Sequence, residues 1–545
     1  MSRTRVNPGA ARAKPLSEAI DAGSWLWLNP ERVGLLSDGG GRLGTEGAHG
    51  NSSSRWIETQ AQRGLKAIPT SVKEQIDTNP RKTYIFVEML SKRIAAFLLC
   101  LALPTHAATL LVSKSGDGSD GQSWPTAYTE IGAAITASST GDEIWVATGV
   151  YVENIVIGDP LTILGGFPSD ETFIDRNSQD PETYSTIIDG SREGSVVIVR
   201  DECMLSGLTI QNGLARYGSG LNAVNCHITL ENVRILSNGT KESGTGGGIF
   251  ADRCDSKLMN CFLARNSSTD GGGIHAREGR LTLISSELRD NIGGGGGGVF
   301  INTGTAEITS TAFIQNDGRG RGGGFYATTD SFYTIDPCLF ERNMNTVPPT
   351  PRPFTPQYWG GGIFSRYSKG TISNSLFVRN MSRYGSIISL QDTEPNDVVF
   401  RNCTIDIFTG AFHEGVWWEF GSPPKFVNCI FVTEDYPYFF PIEDIDVTYS
   451  LVERGFAGEG NLRTFPKFVD RENGDYRLMR NSPCIDAGTD TGLAEDYDGN
   501  PRPIGRYDVG AYEFPTFRGD IDGDGAVDDK DLMLLTRDWQ KVSGP

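Results

Sequence analysis

The chain has 545 residues, 67 of them glycine, and 68 acidic against 49 basic side chains give a formal net charge of −19. That balance argues against nucleic acid and anionic membrane surfaces as partners, and it is compatible with cation binding and extracellular life. The length permits a large buried core and more than one domain, and the glycines recur at fixed positions, so they mark turns and not disorder.

Residues 1–88 show mixed polarity and no repeat. Met89-Leu-Ser-Lys-Arg93, the apolar stretch Ile94–Leu103 and Thr105-His-Ala107 then follow the order of a signal peptide: basic start, short apolar run, small residues before a cleavage site. The apolar run is too short to span a bilayer, and no other segment is apolar enough to do so. Translation is therefore expected to begin at Met89, with residues 1–88 an over-extended start or a disordered segment. Residues 89–107 would be the signal peptide of a secreted or bacterial cell-surface protein.

Residues 108–195 read as an N-terminal cap and first coils. Ala127–Ser138 has helical character and would cover the first coil, whose bare edge would otherwise invite aggregation. Asp142–Ala147, Tyr151–Ile157 and Leu161–Leu164 are expected as the first strands.

Residues 196–450 are repetitive. Gly246-Gly-Gly-Ile-Phe250, Gly271-Gly-Gly-Ile-His275, Gly296-Gly-Gly-Val-Phe300, Gly322-Gly-Gly-Phe-Tyr326 and Gly360-Gly-Gly-Ile-Phe364 start 25, 25, 26 and 38 residues apart. An apolar-x-x-Asn signature keeps step with them, ending at Asn238, Asn266, Asn291, Asn316, Asn343 and Asn380. A fixed period in the twenties marks a solenoid, whose repeats bury their core face only against neighbours. Alternating segments such as Leu281–Ile284 between these markers are strands. Glycine triplets suit tight turns needing positive φ, and Asn is the non-glycine residue best suited to a left-handed position. Stacked in every coil, the asparagines could also bond one another along a ladder. The fold class is all-β, a parallel β-helix of one coil per repeat. The longest spacing holds the proline-rich stretch Val347–Trp359, which cannot join a sheet and is expected as a projecting loop carrying Arg352, Phe354, Tyr358 and Trp359 as possible ligand contacts.

The glycine runs with Phe313–Asn316, Phe340–Asn343 and Phe377–Asn380 resemble the repeats of bacterial polymorphic outer-membrane proteins and the wider pectin lyase-like class of right-handed parallel β-helices over about residues 196–435, which implies a right-handed winding. The resemblance implies the fold; activity does not follow, because this fold carries lyases, hydrolases, adhesins and inert stalks alike. In residues 451–514, Gly474–Leu478, Ser482–Gly488, Asp496–Pro503 and Asp508–Glu513 together resemble the choice-of-anchor Q type of C-terminal module, which implies a cap near a surface-attachment region.

Among the cysteines, Cys261 and Cys338 share a repeat position with Ser286, Thr311 and Ser375, which suggests interior filling. Cys226 and Cys254 each lie twelve residues before a ladder asparagine on adjacent coils, at a separation a disulfide could bridge; bonded and free forms are both open.

Residues 515–545 form a separate element. Asp520, Asp522, Asp524, Asp528 and Asp531 occupy positions 1, 3, 5, 9 and 12 of a twelve-residue loop, with Gly525 at 6 and the Ala526 carbonyl at 7, the ligand spacing of an EF-hand. A small α-helix through Leu532–Leu535 and Trp539 is expected to follow. The stretch resembles one repeat of a type I dockerin, which implies Ca2+ as cofactor. Only one repeat is present, and Asp529-Lys530 stands where dockerins often carry Ser/Thr, which argues against a cohesin-like partner. Calcium at millimolar level is expected to order residues 519–541, and Asp520→Ala with Asp524→Ala to abolish the effect. NMR or calorimetry showing no calcium-dependent change would defeat the assignment.

No catalytic set can be named. Polygalacturonase-like Asn-Thr-Asp and Gly-His-Gly and the pectate-lyase-like Arg-x-Pro-x-x-Arg are missing, and His275 and His413 are isolated. Phe250, His275, Phe300, Tyr326 and Phe364 share one position and face opposite to the aliphatic residue before them. They form either an outward stripe suited to the apolar faces of sugars or a set packed inside or beneath a turn. Trp417 and Trp418 should point to opposite faces of one strand. The expected function is a non-catalytic exported surface or matrix protein binding a polysaccharide or cell-surface glycan, or an adhesin. The alternative is a polysaccharide lyase or glycoside hydrolase, which would need an outward groove with two carboxylates and a Lys or Arg on neighbouring coils.

Overall fold

The structure is a computed structural model that describes residues 107–545 except 170–174, 242, 347–358, 395–396, 408–414, 434–444, 515–528, 531, 534–535 and 537–545. The signal-peptide expectation, the proline-rich stretch up to Tyr358, His413 and the calcium loop from Asp520 to Asp528 lie outside the described residues, as does Asp531. Of the tail helix, Asp529, Lys530, Leu532, Met533 and Thr536 are described, and they are helical.

One coil explains the rest. Ile274–Arg277, Arg280–Ile284 and Glu287–Arg289 are three short strands separated by corners, and each pairs in parallel and in register with its counterpart one coil on. Left-handed residues make the corners: Glu278, Ser285 and Asp290 have φ of 54°, 49° and 54°. Repetition builds three parallel sheets of 13, 10 and 12 strands, wound as a right-handed parallel β-helix. Strands of the coils run from Thr109–Val112 to Leu451–Val452. Among the described residues, no helix is long and apolar enough to cross a membrane.

The asparagines form the expected ladder. The Asn266 N–H and Nδ2 both donate to Asn291 Oδ1 at 3.0 Å, Asn291 repeats this to Asn316 at 3.1 and 3.0 Å, and Asn316 to Asn343 at 3.1 and 3.0 Å. Each Nδ2 also donates to a backbone carbonyl of the preceding coil, Asn291 to Leu263 at 2.8 Å. The left-handed corner is not the asparagine's, however. It belongs to the residue before it, Arg265, Asp290, Gln315, Arg342 or Arg379. The asparagine must turn its amide inward to bond along the stack, and the preceding residue, whose side chain faces water, takes the strained φ. The glycine runs divide their work similarly. Only the first glycine is left-handed, as in Gly271 at 65°; at Gly272 a Cβ would lie 2.5 Å from the Gly297 carbonyl, so close stacking excludes any side chain.

Inside the coils, Phe313, Phe340 and Phe377 stack with centroids 4.6 and 4.9 Å apart, and Cys261, Cys338, Cys403 and Cys429 are buried beside them as small fillers. At the N-terminal end a single helical segment, α1 (Ile131–Ala137), lays Ile131 and Ala134 on Leu110 and Val112. Glu153 accepts from the Ile131 and Gly132 N–H groups at 2.9 and 2.8 Å, satisfying the helix N-terminus. The helix is shorter than Ala127–Ser138, because the flanking residues leave the helix as extended backbone.

Residues 464–514 do more than finish the last coil. Phe468, Tyr476, Leu478, Cys484, Val509 and Tyr512 cover the outward side of the 12-stranded sheet at Leu376, Val378, Ile430 and Val432. Three successive corner asparagines hold the segment there: Asn374, Asn402 and Asn428 donate to the carbonyls of Glu495, Asp508 and Thr489 at 3.0, 3.0 and 2.7 Å. The module therefore lies along the flank of several coils. Within it Arg502 and Glu513 form a fully buried ion pair at 3.4 Å, and burial pushes the neighbouring Asp508 carboxyl up to about 7.

Candidate functional site

Two outward faces bear on function. The first is the aromatic stripe of the 10-stranded sheet. Phe250, His275, Phe300, Tyr326 and Phe364 stand in register, with ring centroids 5.3, 4.6, 4.7 and 4.9 Å apart. They point away from the core, as alternation requires, yet they are only 7, 7, 8, 5 and 1 % exposed. The cover is the chain arm before each glycine run. Tyr217, Thr245, Asp270, Gly295, Arg321, Trp359 and Tyr384 stack there as a one-residue parallel ladder. Tyr217 packs on Phe250 at 5.2 Å and Trp359 on Phe364 at 5.7 Å. The rings thus lie beneath turns, and a sugar would have to displace the arm to reach them. Trp417 and Trp418 do alternate, Trp417 against Tyr384 and Trp418 against the core, and both are half-buried.

His275 within this stripe has neither ring nitrogen hydrogen-bonded. Burial pushes its imidazole down to about 4, with Arg277 adding to the effect and Asp252 opposing it. The native state therefore holds it neutral, and stability that is fully present above pH 6.5 is lost as pH falls through 4, by about 3 kcal/mol. Neighbouring coils place Phe here, so His275→Phe is expected to fold. Its melting temperature should fall less between pH 7.5 and pH 4 than the parent's, by about 5 °C; equal falls would show that His275 does not carry the acid sensitivity.

The second face is the outward side of the 13-stranded sheet. Register places Thr305, Phe332 and Lys369 in one column and Glu307, Thr334 and Thr371 in the next. With Asp397 these residues line an open groove of about 360 Å³. Phe332 is 52 % exposed, and the same column elsewhere holds His227, Asp255 and Arg280. The floor is rigid. Tyr333 turns inward into the space Gly370 leaves, where a Cβ would meet the ring at 2.0 Å. Lys369 Nζ lies 2.8 Å from Asp397 and Arg280 lies 3.0 Å from Glu307. The Asp397 hydrogen bond holds Lys369 above the ordinary lysine range, so the amine stays cationic. Two carboxylates and a lysine from nearby coils thus line one groove beside an exposed ring, with Lys369 and Asp397 in contact. Sequence reading missed the groove; the signal available was Phe332 at a strand position whose counterparts are polar.

Among the described residues no three His, Cys, Asp or Glu side chains form a metal-ligating group.

No family profile matches the chain, and no curated protein matches it. Solved structures do resemble it. The crystal structure of pectate lyase Pel9A is 15% identical with a TM-score of 0.36, over 75% of this chain and 97% of that one. A deglycosylated pectin methylesterase from Aspergillus niger is 13% identical with a TM-score of 0.22, over 59% and 91%. Pectin methylesterase PemA from Erwinia chrysanthemi is 12% identical with a TM-score of 0.21, over 58% and 81%.

Proposed function

We propose that this chain is a non-catalytic, exported β-helix protein that binds a neutral polysaccharide in the groove of the 13-stranded sheet. The observation that carries the reading is Phe332, half exposed and standing between Thr305 and Lys369 over a floor of Thr334 and Thr371. An exposed ring offers a face to the C–H side of a sugar, and hydroxyl, carboxylate and ammonium groups at its rim can bond the sugar's hydroxyls. The charges at the rim are mutually compensated, Lys369 by Asp397 and Glu307 by Arg280, and the whole chain is acidic, which disfavours an anionic polymer. A cationic lysine is a poor general base, which supports binding over elimination chemistry. Calcium at the C-terminal loop belongs to the same reading as a second, separate property resting on its ligand spacing.

The experiment is affinity electrophoresis or calorimetry against a panel of neutral and uronic polymers. Phe332→Ala is expected to weaken binding of the recognised polymer about tenfold, equivalent to about 1.4 kcal/mol, with melting unchanged because the ring packs on no core. Equal affinity of parent and variant for every polymer would reject the groove. The same trio of Glu307, Asp397 and Lys369 is what an enzyme would need, so release of unsaturated or reducing ends is measured on the same panel. Turnover lost in Lys369→Ala would replace the binding reading with a lyase or hydrolase.

A further inference from the structure

We infer that Cys226 and Cys254 form a disulfide that staples two neighbouring coils at the corner between the 10-stranded and 13-stranded sheets. Val224 pairs with Asp252 and His227 with Asp255, so the corners Asn225-Cys226 and Arg253-Cys254 have equal length and stack directly. Strand spacing of about 4.8 Å falls within the Cα range of disulfides. The sulfurs are 2.9 Å apart, closer than non-bonded sulfurs pack and about 1 Å beyond a bond. Other coils place Gly279, Gly304, Ser331 and Ser368 at this corner, so only small side chains fit, and among the described residues only these two coils carry a thiol at it. Cys403 and Cys429 also stack on neighbouring coils, just before Thr404 and Ile430, but each donates to a backbone carbonyl of its own coil at 3.4 Å; the remaining described cysteines stack on other residue types.

The corner also arranges the chemistry. The Cys226 backbone N–H donates to Cys254 Sγ at 3.3 Å, and the Cys226 thiol points at the same atom. These contacts hold the Cys254 thiol below the ordinary range and push Cys226 up, so Cys254 is the more acidic of the two and supplies the attacking thiolate on losing its proton. The oxidant is an external disulfide, R–S–S–R. Cys254 attacks one sulfur, forming a mixed disulfide and releasing one R–SH after protonation. Cys226 then loses its proton, attacks Cys254 Sγ and releases the second R–SH. Two thiols are oxidised, one disulfide is reduced, and the atoms balance. The flanking Asn225 and Arg253 are exposed, so opening the corner, without unwinding the coil, admits the oxidant.

The test uses the full chain, incubated with excess glutathione disulfide and then alkylated in denaturant. Of nine cysteines, seven are expected to be labelled, and an unreduced digest should link the peptides holding Cys226 and Cys254. Reductant should lower the melting temperature by a few degrees in the parent and not in C226S/C254S. Serine already fills this corner as Ser331 and Ser368, so the double variant keeps its fold. Nine labelled cysteines, or a link joining Cys403 and Cys429 with Cys226 free, would overturn the inference. Because the oxidant is supplied, the outcome is independent of whether the protein is exported or binds glycan.

Discussion

Replacing Asn291 by alanine is expected to cost about 5 kcal/mol of stability, far more than its size suggests. Asn291 is fully buried. Its Oδ1 accepts from both the N–H and Nδ2 of Asn266, and its Nδ2 donates to the Leu263 carbonyl and to Asn316 Oδ1. Alanine orphans an N–H, an amide hydrogen and a carbonyl in a place no water reaches. Each such group costs about 1–3 kcal/mol, and the cavity adds to the sum. Position in the stack makes the prediction specific. Asn238 begins the ladder, its Oδ1 accepting from the Gly213 N–H in place of an asparagine, so Asn238→Ala should cost less than Asn291→Ala. Chemical denaturation of both variants decides it, with the half-exposed Arg289→Ala as a control expected to change stability by less than about 0.5 kcal/mol. Equal costs at the middle and the end would mean that the rungs act singly and not as a stack.

That ladder was readable because a solenoid reuses one set of slots, and slots facing the interior accept few residue types. Asn266, Asn291 and Asn316 recur for a bonding reason, and Phe313, Phe340 and Phe377 recur for a packing reason, so period and fold follow directly from the residues. Outward slots have no such constraint. Thr305, Phe332 and Lys369 occupy one column with three unrelated chemistries, and the groove exists only once those coils are stacked. Whether Phe250, Phe300 and Tyr326 are exposed or lie beneath a turn stayed open for the same reason: Thr245, Asp270, Gly295 and Arg321, in the ladder that covers them, share no property a sequence pattern could show. Facing outward and being exposed differ here, because the arm adds a layer over one sheet. The C-terminal flank was hidden by distance, its contacts joining Asn402 to Asp508 and Asp406 to Arg471.

Asp406→Ala is expected to detach that flank while leaving the coils wound. Asp406 lies on the outward side of the strand Thr404–Ile407, between Val378 and Val432 in the paired strands, and is 5 % exposed. A carboxylate on an otherwise apolar face is unfavourable unless fully bonded. Arg471 supplies Nε and Nη2 at 2.8 and 2.6 Å, and Tyr476 its hydroxyl at 2.8 Å. Burial and the Asp406 charge hold Tyr476 protonated, so it donates. Removing the carboxylate breaks all three bonds and should cost about 3–5 kcal/mol. That cost falls on the docking of residues 464–514 and not on the coils, whose Ile405 still faces the core. Limited proteolysis is expected to cut between Phe465 and Phe514 in the variant at least tenfold faster than in the parent, leaving a resistant fragment that ends near Val452. Cleavage throughout the coils would instead make the flank a required part of the solenoid. The pair itself is replaceable by the same physics: Asp406→Leu with Arg471→Met substitutes apolar contact for a buried ion pair and should recover most of the protection. A double variant as labile as Asp406→Ala would show that the charge, and not the covered surface, holds the flank in place.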